Sequence, residues 1–225
     1  MKGFDYLQDR MPPFTVIPTC ADLGRFKPAD NPLRDDPFVL GYVGTVGTWY
    51  LFDEVATCVA ALLRIKPNAQ FLVVNRGEHD YIHQRLQAAG VPEFAIKITS
   101  ATHAEVPTLM ARMHAGIFFI KPAYSKQASA PTKLAEFLGC GIPCLGNACV
   151  GDMEEILQEN RVGVAIDRFD TESLKNGLLQ LLALVEDPET KQRCVETARK
   201  HFSLDEGVQR YAMVYQSLLD GSGAE

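Results

Sequence analysis

No apolar run in this 225-residue chain approaches the roughly 18 residues needed to cross a bilayer. No apolar stretch follows Met1-Lys2-Gly3-Phe4-Asp5 either, as a secretion signal would require. The expectation is a cytoplasmic protein. Basic runs are missing too: 22 Lys and Arg face 28 Asp and Glu, for a formal net charge of -6. A non-specific nucleic-acid binder needs clustered cations to displace counterions, so that class is excluded. An anionic ligand would have to be held by local geometry against an unfavourable overall field. The six cysteines (20, 58, 140, 144, 149 and 194) contain no C-x-x-C pair. Cys140, Cys144 and Cys149 are crowded, but the histidines lie elsewhere in the chain. The pattern therefore argues for small buried thiols in a reducing compartment and against a zinc site, and no metal is expected. There are no repeats and no low-complexity tract besides the polar tail 221–225, which should fray.

What is present is an ordered alternation. Apolar or β-branched runs occur at Phe14–Ile17, Phe38–Val43, Phe71–Val74, Phe94–Ile98 and Ala115–Ile120, with a further one near Pro143–Leu145. Between them lie helical patterns at about 51–63, 80–89, 103–113 and 132–140. Strands that are apolar throughout and alternate with helices predict a parallel sheet covered on both faces. The expected class is therefore α/β: a doubly wound, Rossmann-like parallel sheet in a single domain. After Gly163 the chain reads as helical, at 170–185, 189–200 and 204–219. In such sheets ligands bind beyond the carboxyl ends of the strands. That singles out four loops, Gly44–Tyr50, Asn75–His79, Thr99–His103 and Lys121–Lys133.

The first loop, Gly44-Thr45-Val46-Gly47-Thr48-Trp49-Tyr50, enters a helix through two glycines. Two readings stand open: backbone amides beside a helix dipole that suit phosphate, or a tight turn packed by aromatics. No Gly-Lys-Ser/Thr follows, so it is not a Walker A loop, and the third glycine of the dinucleotide fingerprint is missing. Trp49-Tyr50-Leu51-Phe52 can face a sugar or belong to the core. The stretch Ser129–Pro143 is richer. Pro131 suits a helix start, which would aim the amides of Thr132, Lys133 and Leu134 at an anion. Lys133 adds a mobile positive charge where the dipole disfavours one, unless a phosphate binds there. Glu136, one turn on, can accept two hydroxyl hydrogen bonds. An ordinary surface Lys/Glu pair is the other reading. The histidines His79, His83, His103 and His114 do not cluster in sequence and receive no catalytic role.

The segment Pro131-Thr132-Lys133-Leu134-Ala135-Glu136-Phe137-Leu138-Gly139-Cys140-Gly141-Ile142-Pro143 resembles the donor-site helix of GT-B glycosyltransferases. It is most similar to the large retaining, family 4-like group that includes many bacterial surface-polysaccharide enzymes. The likeness extends over most of the chain. Val16–Pro28 looks like the entry into the donor domain, Gly41-Tyr42-Val43-Gly44 like the first-strand glycine loop, and Val106–Phe119 like the helix and strand before the donor site. Tyr211–Leu219 looks like the closing helix.

The resemblance implies a donor-binding domain over 14–220, a linker-like remnant over 1–13 and an absent N-terminal acceptor domain. It implies transfer of a sugar from a nucleotide diphosphate sugar to a hydroxyl, with no cofactor and no metal ion, in polysaccharide or glycoconjugate synthesis. Glu136 matches the acid that binds the ribose hydroxyls. Pro131, Thr132, Lys133 and Leu134 match positions near the diphosphate and sugar, Gly44 and Thr45 the phosphate-facing loop, and Thr99 and Ser100 the base region.

Two departures matter. An acid found in many relatives eight residues before Glu136 is Ala128 here, and the Arg and Lys of the first loop are replaced by Thr45, Trp49 and Tyr50. Charge for the leaving group must then come from Lys133, Arg76, Lys126 or Lys121, in that order, with a surface salt bridge as the other reading for Arg76. The expected partners are the nucleotide sugar and the missing domain. A homodimer could form through the apolar side of the last helix (Leu204, Val208, Tyr211, Val214 or Tyr215, Leu218), and the full-length enzyme could associate peripherally with a membrane. Two rivals remain: a sugar-nucleotide epimerase of the same architecture, and a non-catalytic nucleotide-binding α/β module. A receiver domain is disfavoured because the run at 71–74 ends in Asn75-Arg76-Gly77 rather than a phosphorylatable Asp.

Overall fold

A computed structural model describes residues 15–29 and 37–220. The stretch 1–13, Phe14 and the tail 221–225 lie outside the described residues. Six strands form one sheet: β1 (Val39–Val43), β2 (Gln70–Val74), β3 (Ile96–Thr99), β4 (Ala115–Ile117), β5 (Cys144–Asn147) and β6 (Gly163–Ile166). Their order is β3-β2-β1-β4-β5-β6, and every pairing is parallel. Parallel pairing requires crossovers, which the helices supply. These are α1 (Phe52–Ile65), α2 (His79–Ala88), α3 (Val106–Met110), α4 (Thr132–Gly139) and α5 (Met153–Glu159). Three further helices, α6 (Thr171–Glu186), α7 (Thr190–Phe202) and α8 (Leu204–Leu219), end the described chain. This is the expected doubly wound α/β fold. The winding reverses between β1 and β4, which is where such a sheet opens a crevice at its carboxyl edge.

The central strands are apolar because both faces are covered. Leu40, Tyr42, Phe71, Val73, Ala115 and Ile117 are fully buried. Five of the expected boundaries need correction. Residues 15–17 form no strand: Val16 is exposed, and the sheet already ends on β3 and β6. Residues 93–95 are a 3-10 turn, so β3 begins at Ile96. The helix expected over 103–113 shortens to α3, because the Glu105 carboxylate ties Thr102 into a turn, accepting from its amide (2.8 Å) and hydroxyl (2.7 Å). Strand β4 stops at Ile117, although Ile120 still bridges to Tyr50. Between Asn147 and the closing helices the chain forms a helix and a strand that the sequence did not predict, α5 and β6, and β6 has only four residues, Gly-Val-Ala-Ile.

Helices α6 and α8 have side-chain caps. Asp170 accepts from the Ser173 amide, and the Ser203 hydroxyl from the Glu206 amide. They differ in packing. Helix α6 buries Leu174, Leu178, Leu181 and Leu182, whereas α8 buries only Gly207. On α8, Leu204, Val208, Tyr211, Tyr215 and Leu218 are all exposed. No helix among the described residues is long and apolar enough to cross a membrane.

Candidate functional site

A cavity of about 290 Å³ lies beyond the carboxyl ends of β1, β2 and β3, against the start of α4. Its walls are Gly44 and Thr45 after β1, Asn75 and Arg76 after β2, Ala101 and His103 after β3, and Lys133 and Glu136 on α4. Residues three apart on a helix share a face, so Lys133 and Glu136 enter the cavity together. A second cavity, about 240 Å³, opens at the opposite edge between His114 and Lys191 and contains none of the expected residues.

Lys133 is buried, with 8% exposure, and is not the mobile charge expected from the sequence. Its ammonium donates to the Tyr42 hydroxyl (3.2 Å) and the Thr45 carbonyl (3.5 Å). It also lies 3.5 Å from the centroid of the Tyr50 ring and 4.3 Å from that of Tyr42. Two aromatic faces offset part of the desolvation. Burial still dominates and pushes the amine down to about 7, while Glu136 and then Glu78 pull the other way. The lysine is thus poised between charged and neutral near neutral pH. Gly44 makes room for it: its φ is +103°, and a Cβ there would lie 3.0 Å from the Lys133 Cε.

Only 13% of the Glu136 side chain is exposed. Burial raises its pKa, and Lys133 opposes that shift. Its Oε1 lies 3.8 Å from Nε2 of His103, whose Nδ1 is 2.9 Å from Nη1 of Arg25. A guanidinium can only donate, so Nδ1 accepts and the ring proton sits on Nε2, facing the carboxylate.

The loop after β1 is not an open cradle of amides. The Gly44 amide donates to Val74, that of Val46 to Glu78 Oε2 (3.1 Å), and those of Trp49 and Tyr50 to Gly47. The Tyr42 hydroxyl donates to the Thr45 carbonyl (2.6 Å), and the Tyr42 and Tyr50 rings meet edge to face. A buried Asn75 knits this loop to the next. Its Nδ2 donates to the Gly44 carbonyl (3.0 Å) and Glu78 Oε2 (2.8 Å), and its Oδ1 accepts from the amides of Gly77 and Glu78. Four of the seven amides from Gly44 to Tyr50 are thus engaged within the protein, while those of Thr45, Gly47 and Thr48 have no acceptor among the described residues.

The other expected residues divide. The Leu134 side chain is fully buried in the core and its amide donates to the Pro131 carbonyl (3.0 Å), so it offers nothing to an anion. Pro131 is buried at the helix start and Thr132 is exposed, but neither lines the cavity. Thr99 and Ser100 also stand outside it; Ala101 takes their place on the wall. Arg76 donates from Nε to the Ala101 carbonyl (3.2 Å) and lines the cavity. Among the described residues it forms no ion pair, which removes the salt-bridge reading. Lys126 sits over the Trp49 ring at 4.5 Å, and neither it nor Lys121 lines the cavity.

His103, Arg25 and Asn75 are the residues that sequence reasoning missed. The position of His103 in a carboxyl-edge loop was the available signal. Among the described residues no group of three His, Cys, Asp or Glu side chains could hold a metal ion. Cys58, Cys140, Cys144 and Cys194 are buried thiols, while Cys149 is exposed.

The family described as "Glycosyl transferases group 1" matches residues 25–201. No curated protein sequence matches the chain. Among solved structures, sucrose-phosphate synthase from Thermosynechococcus elongatus superposes with a TM-score of 0.75 at 19% identity, over 96% of this chain and 56% of that one. Anabaena HepE, solved in complex with UDP and glucose, gives 0.67 at 19% identity, covering 90% and 56%. The C-terminal domain of the Francisella tularensis group 1 glycosyl transferase LpcC gives 0.59 at 15% identity, covering 82% and 99%. The chain thus spans little more than half the length of the first two, and at these identities the likeness concerns the fold.

Proposed function

The chain belongs to the group 1 glycosyl transferases, and from that premise we propose that its crevice binds the nucleoside diphosphate of a sugar donor. One observation carries this reading: Lys133 and Glu136 converge in the same cavity with Arg76, beneath the β1 loop. The Lys133 ammonium and Arg76 guanidinium face the diphosphate, joined by the Lys133 amide at the α4 start. Glu136 accepts the vicinal ribose hydroxyls. The base lies along the Ala101–His103 wall.

In the full enzyme a glycosyl group leaves the donor for an acceptor hydroxyl. Negative charge then builds on the departing diphosphate, and preorganised cations in a partly desolvated cavity stabilise it. Lys133 and Arg76 supply that charge in place of a metal ion. The acceptor would be held by a second domain, and the exposed apolar side of α8 is the surface on which that domain, or a second copy, would rest. A role in polysaccharide or glycoconjugate synthesis is the reading that the family 4-like resemblance supports. HepE, solved with UDP and glucose, supports the choice of donor class.

Titration of the chain with UDP- and GDP-sugars, wild type against Glu136→Ala, tests the assignment. A charge-assisted pair of hydrogen bonds is worth about 1.5–3 kcal/mol, so the variant should bind at least about tenfold more weakly. Equal affinities would remove Glu136 from the site.

A further inference from the structure

The segment that leads into the sheet packs behind the cavity wall at His103. Ala21 is tied to the end of α7, its amide donating to the Phe202 carbonyl (2.9 Å). Asp22 Oδ1 accepts from the amides of Gly24 (3.1 Å) and Arg25 (3.2 Å), which fixes the turn. Phe26 is buried and meets the His103 ring edge-on at 5.5 Å. Gly139 at the end of α4 permits this packing, since a Cβ there would lie 2.7 Å from the Phe26 carbonyl oxygen. The turn is therefore clamped between the end of α7 and the helix that carries Glu136. It delivers the Arg25 guanidinium to His103 Nδ1, leaving the His103 Nε2 proton directed at Glu136 Oε1.

Resting on the donor-site reading above, we propose that Arg25 and His103 are positioning residues that fix one oxygen of Glu136 and so set its recognition of the ribose diol. The chemistry is that of an outer partner orienting a ring whose far nitrogen serves the site, a second-layer device familiar from histidine ligands. Arg25 locks the tautomer and polarises the Nε2–H. His103 then holds Oε1, and the remaining lone pairs of Glu136 stay turned towards two hydroxyls. The 3.8 Å separation is longer than a hydrogen bond. Such contacts commonly tighten when the ligand arrives, and the exposed His103 ring has room to close.

A ligand–variant cycle tests this. UDP and GDP are titrated beside their 2′,3′-dideoxy counterparts into the full 225-residue chain, as wild type, Glu136→Ala, His103→Ala, His103→Gln and Arg25→Ala. The expected result is that wild type prefers the ribonucleotides by about tenfold or more, and Glu136→Ala abolishes the preference. His103→Ala cuts it about fivefold through weaker ribonucleotide binding alone, and His103→Gln restores most of it by supplying an N–H donor. A purely structural role would instead weaken ribo- and dideoxynucleotides alike, and that outcome overturns the proposal. Retention of the full preference in both His103→Ala and Arg25→Ala, with loss in Glu136→Ala, also overturns it but leaves the donor-site reading intact. A wild type with no preference at millimolar nucleotide overturns both.

Discussion

The loop after β1 and the first turn of α4 face each other across one crevice, yet their polar groups are committed to different degrees. In the loop, the amides of Gly44, Val46, Trp49 and Tyr50 and the carbonyls of Gly44 and Thr45 all have partners inside the protein. On α4, the amides of Thr132 and Lys133 have no acceptor among the described residues, the helix has no side-chain cap, and Glu136 and Lys133 turn into the cavity. Buried donors and acceptors must be satisfied somewhere. The loop is held by Val74, Asn75 and Glu78, but its Thr45, Gly47 and Thr48 amides, like those of Thr132 and Lys133, have no acceptor among the described residues. What sets the α4 side apart is that Lys133 and Glu136 enter the cavity. Glycine content alone does not tell the two apart, because Gly44 is there to let Lys133 pass.

Removing the knot that holds the scaffold side should give the largest effect. Asn75→Ala deletes four hydrogen bonds from a buried side chain and leaves the Gly44 carbonyl and the Gly77 and Glu78 amides without it. At about 1 kcal/mol per bond, plus the cost of groups left unpaired, a loss of about 3 kcal/mol in urea unfolding is expected. A loss below about 1 kcal/mol would mean that the loop does not depend on it, and the contrast with α4 would fail. Lys133→Met addresses the other side. Replacing a buried ion by an apolar group of similar shape is commonly neutral or stabilising, so folding should be unchanged or improved at pH 7. UDP affinity should fall about tenfold, or about 1.4 kcal/mol.

The same lysine sets a pH signature. Its folded-state pKa is depressed to about 7 from 10.5, so between those values the unfolded chain holds a proton that the folded chain has released. Stability must then rise with pH across that window and be lowest below about 7, where the buried amine is charged. Measured as the difference between wild type and Lys133→Met, the urea midpoint should shift in favour of wild type from pH 7 to pH 9. The affinity of wild type for UDP should weaken over the same range, and that of the variant should not. A flat difference would place Lys133 in water rather than in its box of two tyrosines.

Much of this contrast could be anticipated and part could not. The α/β alternation was plain because strands buried on both faces are written as uninterrupted apolar runs, as in Phe71–Val74. Lys133 and Glu136 were legible because helical spacing alone places them on one face. By contrast, β6 was invisible: Gly-Val-Ala-Ile is too short and too small to announce a period. The β-rich residues 15–17 misled because propensity cannot say whether a neighbouring strand exists to pair with. The burial of Lys133 and the meeting of Arg25 with His103 depend on contacts between residues 91 and 78 positions apart. The amide of Leu134, expected to face an anion, was lost to a local bond with Pro131 that only the turn geometry decides.

The smallest effect bears on how sharply the two sides are separated. Glu78 belongs to the scaffold, since its Oε2 accepts from Val46 and Asn75, yet its charge reaches Lys133. Glu78→Gln keeps an oxygen for both donors, so the unfolding midpoint should move by less than about 0.5 kcal/mol. Two electrostatic consequences then compete. The lysine loses some support for its charged form, which weakens diphosphate binding; a negative charge beside the crevice also disappears, which strengthens it. The ligand carries more than one negative charge and the lysine only one, so relief of repulsion should win, and UDP should bind about twofold to threefold more tightly. The gain should shrink at high salt, because the charges are only partly desolvated. Calorimetric titration at two ionic strengths reads both quantities. Weaker binding at low salt would show that Glu78 serves the ligand through Lys133, and that the scaffold loop and the α4 entry work as one unit.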